Sequence, residues 1–138
     1  ELSHKIEKLK SISRFLHGFD DWLNGCQVRG RPPILTITKN GEQMAKWDPR
    51  RGRFLMSKAC IRLMHDSDSL KAVELLDEVD WVGDIFPNMV KKNDSNILVG
   101  DEIRVIQKGK LLGSARALAP GWEWPHGPGK LAKSRHRI

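Results

Sequence analysis

Residues 97–118 read ILVGDEIRVIQKGKLLGSARAL. Two apolar, partly β-branched runs flank Lys108-Gly109, a pair suited to a tight turn. Side chains alternate along a strand, so Ile103, Val105 and Gln107 share one face while Arg104 and Ile106 take the other. The stretch is a β-hairpin with a core-facing side. From Gly83 onward the same texture continues, with turn residues about every 8–12 positions, which describes a small β-barrel. PGWEWPHGPG (120–129) reads as a loop, and KLAKSRHRI (130–138) as the final strand.

Upstream, the texture is different. Leu2, Ile6, Leu9, Ile12 and Leu16 recur at three- and four-residue steps with lysines between them, the pattern of an amphipathic helix. Phe19, Trp22 and Leu23 suggest a second helix after Gly18. RGRPP (29–33) ends helical structure. ILTITK (34–39), Asn40-Gly41 and EQMAKW (42–47) form a hairpin, because Asn-Gly is the type I′ turn dipeptide. DPRRGR (48–53) is a turn. FLMSKACIRLMH (54–65) has Ser57 as N-cap, and Ala59, Cys60, Leu63 and Met64 give its helix an apolar face. DSDS (66–69) breaks the chain, and LKAVELLDEVDWV (70–82) suits either a short helix or strands. The expected architecture is α+β: an N-terminal domain of helices and a hairpin (1–69), then a β-barrel (70–138).

Charge divides the chain in the same places. Residues 1–65 hold 13 Lys/Arg against 6 Asp/Glu, residues 66–81 hold 1 against 6, and residues 82–138 hold 10 against 5. Two basic blocks flank an acidic joint, and the sequence pI is about 9.7. Such a balance favours a polyanionic partner. No apolar run approaches the roughly 20 residues of a membrane helix, and the charged opening ELSHKIEKLK is not a signal peptide. Cys26 and Cys60 match no metal spacing and are expected as reduced thiols in a cytoplasmic protein. The dispersed histidines give no metal site.

Chemistry has little footing. There is no Gly-rich phosphate loop, no His-Glu-x-x-His and no nucleophile elbow. Asp20 and Asp21 are adjacent and would point about 100° apart on a helix, a poor general acid/base pair. Neither a catalytic residue nor a cofactor is expected.

The C-terminal half resembles a PUA domain, the small RNA-binding barrel of pseudouridine synthases and archaeosine transglycosylases. The resemblance rests on Gly83-x-x-Phe86-x-x-x-Val90, then Gly100-Asp101-Glu102-Ile103-x-Val105, then Leu112-Gly113-x-x-Arg116-Ala117, and finally Lys133-Ser-Arg135-His136-Arg137-Ile138. It covers some 55 residues in order, and each piece alone is generic. The region 34–66 is similar, more weakly, to the pre-PUA domain of archaeosine tRNA-guanine transglycosylase-like proteins. The resemblance implies binding of tRNA or another structured RNA in the service of an RNA-modifying enzyme. The chain is then a stand-alone adaptor, or the targeting end of a larger archaeal-type transglycosylase-like enzyme. A basic protein–protein adaptor is the alternative.

The resemblance also nominates residues. Met89 stands where the family has a glycine that lets RNA come close, so a side chain there would push a phosphate outward. Lys91 and Lys92 follow the family's first short helix, and both meet RNA or favour a helix C-terminus. In the tail, Lys130, Lys133, Arg135 and Arg137 are RNA-contact candidates. Lys133, Arg135 and Arg137 fall at alternate positions, roughly 6.6 Å apart on one strand face. That row follows a phosphate backbone or guards an exposed edge against aggregation. As exposed charges, the three are expected to add little stability. Arg50, Arg51 and Arg53 form a second phosphate contact or a solvated turn. Trp122 and Trp124, on one side of an extended loop, stack on bases or plug the barrel.

Overall fold

The computed structural model describes residues 2–66, 70–127 and 129–138. The chain divides into two compact units, Glu1–Ser69 and Leu70–Ile138. Most of the DSDS break lies outside the described residues.

The first unit opens with helix α1 (Leu2–His17). Gly18, at φ +83°, ends it and donates its N–H to the Arg14 carbonyl. A left-handed residue at this point is the common helix stop. Only one 3-10 turn, Asp21–Leu23, follows in place of the expected second helix. Four antiparallel strands come next in sequence order: β1 (Gln27–Arg29), β2 (Leu35–Lys39), β3 (Glu42–Asp48) and β4 (Arg53–Met56). Asn40 and Gly41 both have positive φ, so the β2–β3 hairpin has the turn its sequence specifies. Phe54 to Met56 belong to β4, not to the helix that follows, because they pair with Ala45 to Trp47. Helix α2 (Lys58–Asp66) then begins at Ser57, whose Oγ accepts the Cys60 N–H at 3.2 Å. It buries Cys60, Ile61 and Met64, so Ile61 takes the place expected for Leu63.

The second unit is a five-stranded sheet ordered β6-β5-β7-β8-β9. Its strands are β5 (Ala72–Leu75), β6 (Val90–Asn93), β7 (Glu102–Gln107), β8 (Lys110–Ala117) and β9 (Ala132–Arg137). The ambiguous 70–82 segment is thus a strand at its start, and β5 runs parallel to β7. The remaining pairs are antiparallel. A bridge between Ile85 and Ala132 ties β9 back to the segment leading into β6, which curls the sheet toward a barrel. Val73, Leu75, Ile85, Ile97, Ile103, Val105 and Trp124 fill the interior, each fully buried. Gly113 is required here: a Cβ on it would lie 2.0 Å from the His136 carbonyl oxygen of the neighbouring strand.

Candidate nucleic-acid interface

Hydrogen bonds seat the Gly83–Val90 motif against residues 131–134 at the start of the last strand. Ile85 N–H donates to the Ala132 carbonyl at 3.0 Å, Leu131 N–H to the Ile85 carbonyl at 2.8 Å, and Ser134 N–H to Asp84 Oδ1 at 3.1 Å. Lys130 Nζ lies 3.0 Å from Asp84 Oδ2. The Lys130 hydrogen bond, the Ser134 N–H and the nearby charge of Lys133 hold the Asp84 carboxyl below its ordinary range. Val82 and Phe86, which flank residues 83–85, stay exposed. The Arg137 guanidinium caps Trp81, 4.4 Å from its ring centroid, a cation–π contact.

The expected single row of cations is interrupted. Gly113 faces Arg137 and Arg116 faces Lys133, but the register slips between Ser114 and Ala115 and puts Arg135 in a bulge. A bulge of this kind re-aims a side chain. Arg135 turns to Glu102, Nε to Oε1 at 3.0 Å, and Glu102 Oε2 accepts the Ser114 hydroxyl at 2.5 Å. Glu102 is only 6% exposed, so Arg135 neutralises a buried carboxylate. Its first role is structural. Lys133 is exposed.

Lys91 and Lys92 sit in strand β6, just after the three-residue 3-10 turn Pro87–Met89, and not at a helix end. Both pair with Glu74 of the neighbouring strand, at 3.7 and 3.6 Å. Lys91 also reaches Asp77 at 3.9 Å. Met89 is partly buried. Its sulfur accepts the Phe86 N–H at 3.4 Å and the side chain packs on the core.

Trp122 and Trp124 part company. Residues 121–126 form a 3-10 helix, not an extended loop, so positions two apart point in different directions. Trp124 is fully buried and donates Nε1–H to the Ala119 carbonyl at 2.8 Å. Trp122 is 61% exposed. Trp124 plugs the barrel, and Trp122 stands on the surface. Their helix packs beside Pro87–Met89 and β6.

In the first unit, Arg50 grips Asp48 with two side-chain hydrogen bonds of 3.1 and 3.0 Å and its own backbone N–H at 3.0 Å, which hold the Asp48 carboxyl low. Arg51 is exposed in the turn. Arg53 belongs to β4 and donates to the Gly52 carbonyl at 2.9 Å. These arginines therefore do not form one uniform loop cluster. Burial pushes the Cys26 thiol up, opposed by the charge of Lys39. No described helix is long and apolar enough to cross a membrane.

Sequence reasoning missed the acids that organise these cations. Asp84, Glu74 and Glu102 each hold a basic residue far away in sequence. The Gly-Asp-Glu motif was the available signal for Glu102, since an acid opening a buried strand requires a partner.

No family model matches the sequence, and no curated protein does. Solved structures do. A conserved PUA domain protein from Thermoplasma acidophilum superposes with a TM-score of 0.62 at 19% identity, covering 97% of this chain and 89% of that one. The fold is shared with a PUA domain protein. Hypothetical protein PH0734.1 from Pyrococcus horikoshii OT3 gives 0.65 at 16% identity, over 96% of this chain and 89% of its own. AF0587, a protein of unknown function, gives 0.75 at 20% identity, over 94% of this chain. This chain spans 46% of AF0587, less than half its length. In each case the likeness extends across both units.

Proposed function

We propose that the second unit binds structured RNA, tRNA in the first instance, by shape and phosphate contact. The observation that carries the reading is the seating of the Gly83–Val90 segment on β9. It holds Lys130 on Asp84 and Arg137 over Trp81, and Lys133, Val82 and Phe86 are exposed along the same segments. A ligand with anionic backbone and apolar base faces has both chemistries. Lys91 and Lys92 add two exposed cations on β6, and Trp122 offers an aromatic face on the helix that packs beside the Pro87–Met89 turn.

Most of these lysines already face carboxylates. Phosphate therefore exchanges with Asp84 and Glu74 instead of filling an empty cradle. The cost of that exchange is small, because exposed ion pairs contribute only about 0–1 kcal/mol. In this reading the protein is a cytoplasmic, non-catalytic RNA-holding module that serves an RNA-modifying enzyme. The first unit accompanies it as a pre-PUA-like domain.

Fluorescence anisotropy with labelled tRNA at about 50 and 200 mM salt tests the reading. Five neutralised phosphates predict an affinity loss of about a hundredfold or more across that range. No binding at the lower salt would end it.

A further inference from the structure

The first unit carries an apolar channel that the RNA reading does not use. Along α1, residues 5, 8, 9, 12, 15 and 16 fall on one face at helical spacing. Two cavities lie along that face and share Ile12 and Trp47. One, of about 390 Å³, is lined by Lys5, Lys8, Leu9 and Ile12 against Pro32, Pro33, Leu35 and Trp47. The other, of about 440 Å³, is lined by Ile12, Phe15 and Leu16 against Trp47 and Arg53. Phe15, at the rim, is 88% exposed. Phe15 thus extends the apolar surface of the two cavities to the helix exterior.

Charge settles what fits. His4, Lys5 and Lys8 stand at one end and Arg53 at the other, and among the described residues no Asp or Glu lines either cavity. The floor is aliphatic and proline-rich with one indole, which suits apolar side chains better than a run of stacked bases. From residue 5 to residue 16 the helix rises about 16 Å. We infer that this channel docks a short acidic peptide segment of a partner protein. Large apolar residues of the segment enter over Ile12 and Trp47, and its carboxylates meet Lys5, Lys8 and Arg53. Buried apolar anchors supply affinity and the rim charges supply steering and register. This inference stands apart from RNA binding by the second unit.

The test is a random dodecapeptide phage library panned on the full chain and counter-selected on a Lys8→Glu/Phe15→Ser variant. Lys8 and Phe15 are exposed, so the variant should melt within a few degrees of wild type. The expected survivors carry several Asp or Glu around at least two large apolar residues. The best of them, synthesised, should shift the Trp47 indole resonance and bind the variant at least tenfold more weakly. Survivors that are basic, purely polar, or bound equally by the variant would overturn the inference. So would an empty selection, or tRNA shifting the Trp47 indole at lower concentration than the peptide.

Discussion

Glu102 and Arg135 are 33 residues apart in sequence and 3.0 Å apart in space. The bulge in β9 makes this contact, and Ser114 completes it from β8. Arg135→Gln strands a carboxylate that is almost entirely buried. Leaving such a group without its cation costs about 2–3 kcal/mol, less than for a fully buried pair because Arg135 is partly exposed. The melting temperature should fall by about 10 °C or more. Lys133→Gln, on the same strand, should change it by no more than a few degrees. Thermal unfolding followed by circular dichroism separates the two. The sequence had suggested that all three basic side chains of this strand could be removed with little loss of stability. The structure exempts Lys133 alone from doubt and places Arg135 in the architecture.

Asp84 gives the second unit a pH dependence with a definite sign. Its folded pKa lies below the ordinary 3.8, chiefly through Lys130 and then the Ser134 N–H. A depressed carboxylate pKa contributes stability that is present above the ordinary value. That contribution is lost as pH falls below it, toward the folded value. Asp84→Asn should therefore lower the urea midpoint at neutral pH, and the difference from wild type should shrink on acidification below about pH 4. A difference that grows on acidification would refute the assignment.

Glu74 restrains Lys91 and Lys92 together. Glu74→Gln removes one anion, releases Lys92 from it and leaves Lys91 with Asp77 alone of these two acids, so both cations become more available to phosphate. Affinity for tRNA at low salt should rise about twofold to fivefold, a fraction of a kcal/mol per exposed pair released. Anisotropy titrations measure it, and a fall in affinity would mean that β6 faces away from the RNA.

The two loop tryptophans should separate cleanly. Trp124→Ala empties a core position and loses about 3–5 kcal/mol of stability. Trp122→Ser should leave unfolding unchanged and weaken RNA binding by about 1–3 kcal/mol where a base stacks on it. Paired measurements of melting and tRNA affinity distinguish these outcomes.

What was legible in the sequence was local. The Asn40-Gly41 turn, the Ser57 cap and the 97–118 hairpin were readable because a few adjacent residues dictate backbone geometry. Strand β4 was hidden, since FLM runs into a helix without a breaker, and pairing with β3 decides its state. Trp122 and Trp124 were placed on one side because the Pro/Gly-rich stretch looked extended. Its 3-10 turn reverses that conclusion. At the candidate site the cations were visible, whereas the acids opposing them were not. Ion pairs across 33 or 46 residues are written in topology, not in spacing.

The most direct test of the central claim is the salt dependence of tRNA binding by a Lys130→Gln/Lys133→Gln variant. Both residues border the Gly83–Val90 segment, and neither is buried. The account predicts an unchanged fold, affinity at about 50 mM salt reduced at least tenfold, and a salt slope shallower by about two units. A variant that binds tRNA with wild-type affinity and slope would contradict it and remove this face as the RNA site.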